Sequence, residues 1–139
     1  MKKKRFVSFL LAAICVFSLI IPASATELKA SDQINAYSIN VTSRSSTINV
    51  TFSVTGNGIA DKLGCESIKV YEKSGSRWIL AESKDEYDSG MSQYDGFTYG
   101  NTIYCDGEAG VDYKVVVTVF AENSAGRDTR SKTVYVTGK

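Results

Sequence analysis

The chain has 139 residues, 16 Lys+Arg against 15 Asp+Glu, 43% hydrophobic and 11% aromatic residues, the make-up of a foldable globular chain and not of a disordered or collagen-like one. It contains no histidine, which excludes the commonest general base, the commonest zinc ligand and every histidine-containing nucleophile triad. One proline and three cysteines likewise exclude a proline-rich linker and a disulfide-dense toxin scaffold.

Residues 1–5 are basic, residues 6–21 form an almost unbroken apolar run, Pro22 interrupts it, and Ala23-Ser24-Ala25 supplies small residues. Charge, apolar core and an A-x-A site in that order describe a secretory signal peptide over residues 1–25, cut between Ala25 and Thr26. The run of 16 apolar positions falls short of the roughly 20 residues a spanning helix needs, which argues against an uncleaved anchor. Ile14 is bulky where a lipid-modified cysteine follows a small residue, so a lipoprotein centred on Cys15 is the weaker reading. The expectation is a secreted, extracellular protein with no membrane insertion after cleavage. Its 114 remaining residues carry 12 basic and 15 acidic side chains, and so lack an electrostatic footprint for nucleic acid or an anionic membrane.

Residues 26–33 read as a loose leader and residues 34–139 as one β domain. Tyr37, Ile39 and Val41 alternate with polar residues, Arg44-Ser45-Ser46 makes a turn, and Ile48, Val50, Phe52 and Val54 alternate again. Gly56-Asn57-Gly58 closes that second strand, and residues 59–64 read as a short helical turn. Ile68 and Val70 mark a third strand, which Ser74-Gly75-Ser76 turns into a fourth carrying Trp78 and Leu80. Residues 97–104 give a fifth. Residues 111–121 are the strongest run, with Tyr113, Val115, Val117 and Val119 on one face and Val116 and Phe120 on the other, the pattern of a central strand. A turn over residues 122–126 leads to a last strand with Val134 and Val136. Seven short strands and no long helix predict an all-β, seven-stranded antiparallel β-sandwich, with a small barrel as the alternative.

Cys65 and Cys105 remain after signal cleavage, an even count in an oxidising compartment, and predict one structural disulfide closing a 41-residue loop. Such a closure stabilises by roughly 4 kcal/mol in the chain-entropy account. Redox or metal chemistry fits poorly, since there is no C-x-x-C and no further cysteine or histidine to complete a site.

Residues 85–108 interleave Asp85, Glu86, Asp88, Asp95, Asp106 and Glu108 with Tyr87, Tyr94, Phe97, Tyr99 and Tyr104. Tyrosine rings stack on sugars or anchor a protein partner, while carboxylates accept hydroxyl hydrogen bonds. Tyr87, Tyr94, Phe97 and Tyr99 are the candidate ligand contacts. Equally, tyrosines on an edge strand pair across a sheet and carboxylates keep a loop soluble. No Asp-x-Asp-x-Asp-Gly calcium loop, Ser-x-x-Lys, Gly-x-Ser-x-Gly or phosphate loop is present. Trp78 reads as a core or sheet-face residue, with an exposed anchor as its sharper alternative. Asn40-Val41-Thr42 and Asn49-Val50-Thr51 fit the glycosylation pattern but lie within strands, where they read as polar strand residues.

The stretch Gly110-Val111-Asp112-Tyr113, the alternating valines to Val119, and Ala121-Glu122-Asn123-Ser124-Ala125-Gly126 resemble the sixth strand and following turn of a fibronectin type III domain. Ile68-Lys69-Val70-Tyr71-Glu72-Lys73, with Gly75 and Trp78, resembles its third-to-fourth strand hairpin. The likeness covers about 50 residues, and the chain departs from it in having Cys105-Asp106-Gly107-Glu108-Ala109-Gly110 where a proline-containing loop precedes the corner tyrosine, in lacking an early tryptophan and in its two cysteines. It implies a two-sheet immunoglobulin-like sandwich in which Tyr113 is the corner tyrosine, its hydroxyl bonding back to the preceding loop. With its leader, the chain is similar to small exported proteins of Gram-positive bacteria. Such sandwiches carry many unrelated roles. The expected function is therefore a non-enzymatic, cofactor-free module that recognises a protein or a glycan with its surface. The alternative is an envelope-associated structural protein that pairs through its edge strands.

Overall fold

A computed structural model describes residues 32–139. The expected signal peptide, its cut at Ala23, Ala25 and Thr26, and nearly all of the leader lie outside these residues.

The described chain forms six strands: β1 (Ile34–Arg44), β2 (Thr47–Ser74), β3 (Arg77–Asp85), β4 (Ser92–Asp106), β5 (Asp112–Asn123) and β6 (Gly126–Thr137). All pairings are antiparallel and they build one curled sheet. Its organiser is β2, 28 residues long. The first part of β2 lies between β1 and β4, and its last part between β3 and β5, with β6 beyond β5. Around residues 62–64 β2 is flanked by β4 and β5 together: Lys62 faces Tyr94 on one side and Glu122 on the other.

Two sequence expectations change here. The second and third predicted strands are one strand, so the count is six and not seven. Residues 59–64 belong to that strand and not to a helical turn, because hydrogen-bonding partners exist on both sides of them. The Gly56-Asn57-Gly58 signal marks a bulge, where β2 gains residues against β4 between Thr55 and Ala60.

Alternation decides which residues meet inside the curl. Ile48, Val50, Phe52 and Val54 are fully buried, as are Ile68 and Val70 further along β2 and Val115, Val117 and Val119 of β5. Ile39 and Val41 of β1 close over them in a single core. β1 is drawn towards β6 by polar ties: the Ile34 N–H donates to Asp128 Oδ2 at 3.3 Å, and Lys132 Nζ donates to the Ile39 carbonyl at 3.1 Å.

The predicted Cys65–Cys105 bridge is absent; both are free, buried cysteines. Cys65 lies opposite Val119, with its thiol aimed at the carbonyls of Thr118 at 3.3 Å and Ser67 at 3.4 Å. Cys105 lies opposite Ile48 on the other part of β2, with Glu82 and Lys84 as its charged neighbours. An even cysteine count permits a bridge but does not make one, although Cys105 lies close enough to be among the groups that raise the Cys65 thiol. Burial pushes each thiol up to about 12, which keeps both protonated and unreactive at neutral pH.

Candidate functional site

On the outside of the sheet, the register at the middle of β2 aligns a row across four strands: Tyr94 of β4, Lys62 of β2, Glu122 of β5 and Arg127 of β6. Phe120 projects beneath this row, away from the main core, yet is fully buried. The Arg127 guanidinium covers it, with its carbon 4.1 Å from the ring centroid.

The connection between β3 and β4 drops Glu86 into the row. Arg127 grips it with two parallel bonds, Nη1 to Oε1 at 2.7 Å and Nη2 to Oε2 at 3.0 Å, while Lys62 Nζ donates to Oε2 at 2.6 Å. Arg127 also reaches Glu122 at 3.0 Å and Glu66 at 3.4 Å. The Arg127 contact, helped by Lys62 against the cost of burial, holds the Glu86 carboxyl down to about 2. Glu86 in turn raises Arg127. Burial alone would lower Lys62, which is only 6% exposed, but the contact with Glu86 outweighs it and its pKa is raised. All three groups are therefore charged across the physiological range.

Local hydrogen bonds fix this connection. The Asp85 N–H donates to Asp88 Oδ2 at 2.8 Å, the Tyr87 N–H to Asp85 Oδ1 at 2.9 Å, and Ser92 Oγ to the Glu86 carbonyl at 2.7 Å. Met91 is fully buried and its carbonyl accepts from the Cys65 N–H at 2.7 Å, which pins the loop to β2.

Tyr87 and Tyr94 are 78% and 64% exposed, and their ring centroids stand 4.1 Å and 5.2 Å from Lys62 Nζ. With Asp61, Glu122 and Arg127 they border an open recess of about 320 Å³. Two of the four predicted contact residues are thus brought together. Phe97 is exposed but stands opposite the β2 bulge, without the Lys62 contact that Tyr87 and Tyr94 share. Tyr99 turns inward: its ring lies 6.0 Å from that of Phe52, and its hydroxyl donates to the Gly90 carbonyl at 2.8 Å. Tyr113 is buried, and its hydroxyl accepts from the Glu108 N–H at 2.7 Å.

Lys62 and Arg127 escaped the sequence reading. The alternation that would have put Lys62 on a strand is hidden among Asp61, Gly64 and the preceding glycines, and Arg127 follows a turn. A second recess, of about 310 Å³, is bordered by Glu72, Glu82, Asp106, Glu108 and Tyr113. Among the described residues no group of three His, Cys, Asp or Glu side chains is arranged to hold a metal ion, and no helix is long and apolar enough to cross a membrane. In comparisons with family models, curated proteins and solved structures, the chain matches none.

Proposed function

We propose that this protein is a secreted, non-enzymatic recognition module, built as a fibronectin type III-like sandwich, that binds a protein or glycan partner through Tyr87 and Tyr94. The carrying observation is that these two exposed rings flank Lys62, itself fixed by Glu86 and Arg127. Rings ordered before contact lose little freedom on binding, which favours recognition over a mobile solvated loop. Support for the sandwich comes from the pairing order. If β2 is counted as two strands, β1, its first part and β4 make one layer, and β3, its last part, β5 and β6 make the other. The Tyr113–Glu108 hydrogen bond is what a corner tyrosine provides.

Binding of the purified protein to an array of glycans and cell-envelope material tests the function. The double variant Tyr87→Ala/Tyr94→Ala is expected to lose at least tenfold in affinity with an unchanged melting temperature. No binding to any glycan or wall component removes the glycan version, and full binding by the double variant removes the proposed contacts. Export is tested by sequencing the N-terminus of the released protein, expected to begin at Thr26.

A second reading, assembly through edge strands, is favoured by β3. It is an edge strand that leaves Ile79 and Leu80 more than half exposed. Sizing of the purified protein discriminates, since a clean monomer over a wide concentration range counts against it.

A further inference from the structure

The register of β3, β2, β5 and β6 sorts a second outward surface, separate from Tyr87 and Tyr94. Ile68, Val70, Val115 and Val117 point into the core, so their alternates Lys69, Tyr71, Lys114 and Val116 point outward. Leu80 stands opposite Tyr71, Tyr71 opposite Lys114, and Lys114 opposite Tyr135; one row further on, Trp78 stands opposite Lys73. The rings of Trp78 and Tyr135 reach towards each other across the two intervening strands, with centroids 5.7 Å apart. Lys114 Nζ lies 4.6 Å from the Tyr71 centroid and 5.7 Å from that of Trp78, and Lys73 Nζ lies 5.9 Å from Trp78. A recess of about 260 Å³ opens beside Trp78, Lys73 and Tyr135.

Among the described residues, Lys69, Lys73 and Lys114 enter none of the ion pairs, which elsewhere occupy Lys62, Lys84, Arg127 and Arg130. The carboxylate at the recess, Asp112, accepts from the Thr137 hydroxyl at 2.7 Å. Two ammonium groups without carboxylate partners, those of Lys73 and Lys114, thus lie within 6 Å of the Tyr71 or Trp78 ring, with Lys69 further along the same face, and the described residues as a whole carry more acidic than basic side chains. Aromatic faces pack against the C–H faces of sugar rings, and ammonium groups take anionic substituents. Hydroxyl groups of Thr133 and Thr137 sit beside Tyr135 on the same strand and suit sugar hydroxyls. From this juxtaposition we infer that the outer face of β3–β2–β5–β6 binds an anionic polysaccharide, one whose sugar rings bear carboxylate or phosphate groups, by stacking on Trp78 and Tyr135 and pairing its charges with Lys73 and Lys114.

Trp78 is the chain's single tryptophan, so its fluorescence reports occupancy of this face directly. The purified protein is titrated with polygalacturonate as the carboxylate source and phosphomannan as the phosphate source. Dextran, single-stranded poly-dT and polyglutamate are titrated in parallel. At least one of the two anionic polysaccharides is expected to change the emission saturably, more weakly at high salt, and at least tenfold more tightly than dextran or polyglutamate. Lys73→Gln/Lys114→Gln is expected to weaken that binding tenfold or more. Lys73→Arg/Lys114→Arg, which keeps the charge, is expected to retain it. No response to either anionic polysaccharide overturns the inference. So does dextran binding as tightly, tighter binding of poly-dT or polyglutamate, or an unaffected Gln double variant with native circular dichroism.

Discussion

Glu86 receives two guanidinium bonds from Arg127 and one ammonium bond from Lys62, and its carboxyl sits near 2 in the folded protein against an ordinary 4.5. A carboxylate lowered by folding stabilises fully above its unfolded value, and the contribution is lost as pH falls through the folded one. Stability should therefore decline between about pH 4.5 and pH 2, with at most about 3 kcal/mol from this group. Glu86→Gln leaves Arg127 and Lys62 without their shared acceptor and is expected to cost about 2–4 kcal/mol at pH 7. Urea melts at stepped pH check both effects, and the variant should lose most of the acid slope. The two thiols predict the opposite limb. Their ionisation is pushed by burial from 9.0 to about 12, so the unfolded state releases its protons first and stability falls as pH rises from about 9 towards 12. Cys65 and Cys105 should resist a thiol reagent in the native protein and react together on unfolding. A disulfide would abolish both behaviours.

At the scale of the element, period-two alternation was readable wherever one face is apolar and the other polar. It gave the buried faces of β1, of both ends of β2 and of β5. It failed in the middle of β2, where Gly56, Gly58 and Gly64 punctuate the run and a lysine is buried on the outer face. Gly56 and Gly64 serve close approach and not a turn. Gly64 has φ +150, and a Cβ on it would stand 2.3 Å from the Met91 carbonyl oxygen and 2.6 Å from the Ser92 Cα. Gly64→Ala is expected to cost about 3 kcal/mol or more, read from the urea midpoint. The β1–β2 turn was legible but is chemically suboptimal. Ser45 and Ser46 both have positive φ, 50° and 62°, in a two-residue connection that favours Asn-Gly. The Ser46 N–H donates to the Lys139 carbonyl and its own carbonyl accepts from Gly107, which holds the strained turn in place. Ser45→Asn/Ser46→Gly should raise stability by about 1 kcal/mol, visible as a higher melting temperature.

For the whole molecule, the tyrosine-rich segment after β3 could be picked out from composition, but its division of labour could not. Tyr87 and Tyr94 face outward over Lys62, whereas Tyr99, an odd number of residues from Tyr94 along β4, falls on the face of Ile103 and Cys105 and serves the core. The ionic row depends on residues more than 60 apart in sequence, Lys62 and Arg127, and only the path of β2 brings them to one carboxylate. The lysine–aromatic face likewise arises from register, since Trp78 and Tyr135 become neighbours only across two other strands. Both surfaces depend on β2 continuing unbroken past its bulge into the part shared by β4 and β5. Amide hydrogen exchange followed residue by residue tests that continuity most directly. Amides of residues 62–64 should exchange with the slowest set, alongside those of residues 48–54 and 113–119, while residues 56–59 exchange sooner. Exchange of residues 62–64 at the rate of an exposed loop would contradict the shared strand, and with it the site built upon it.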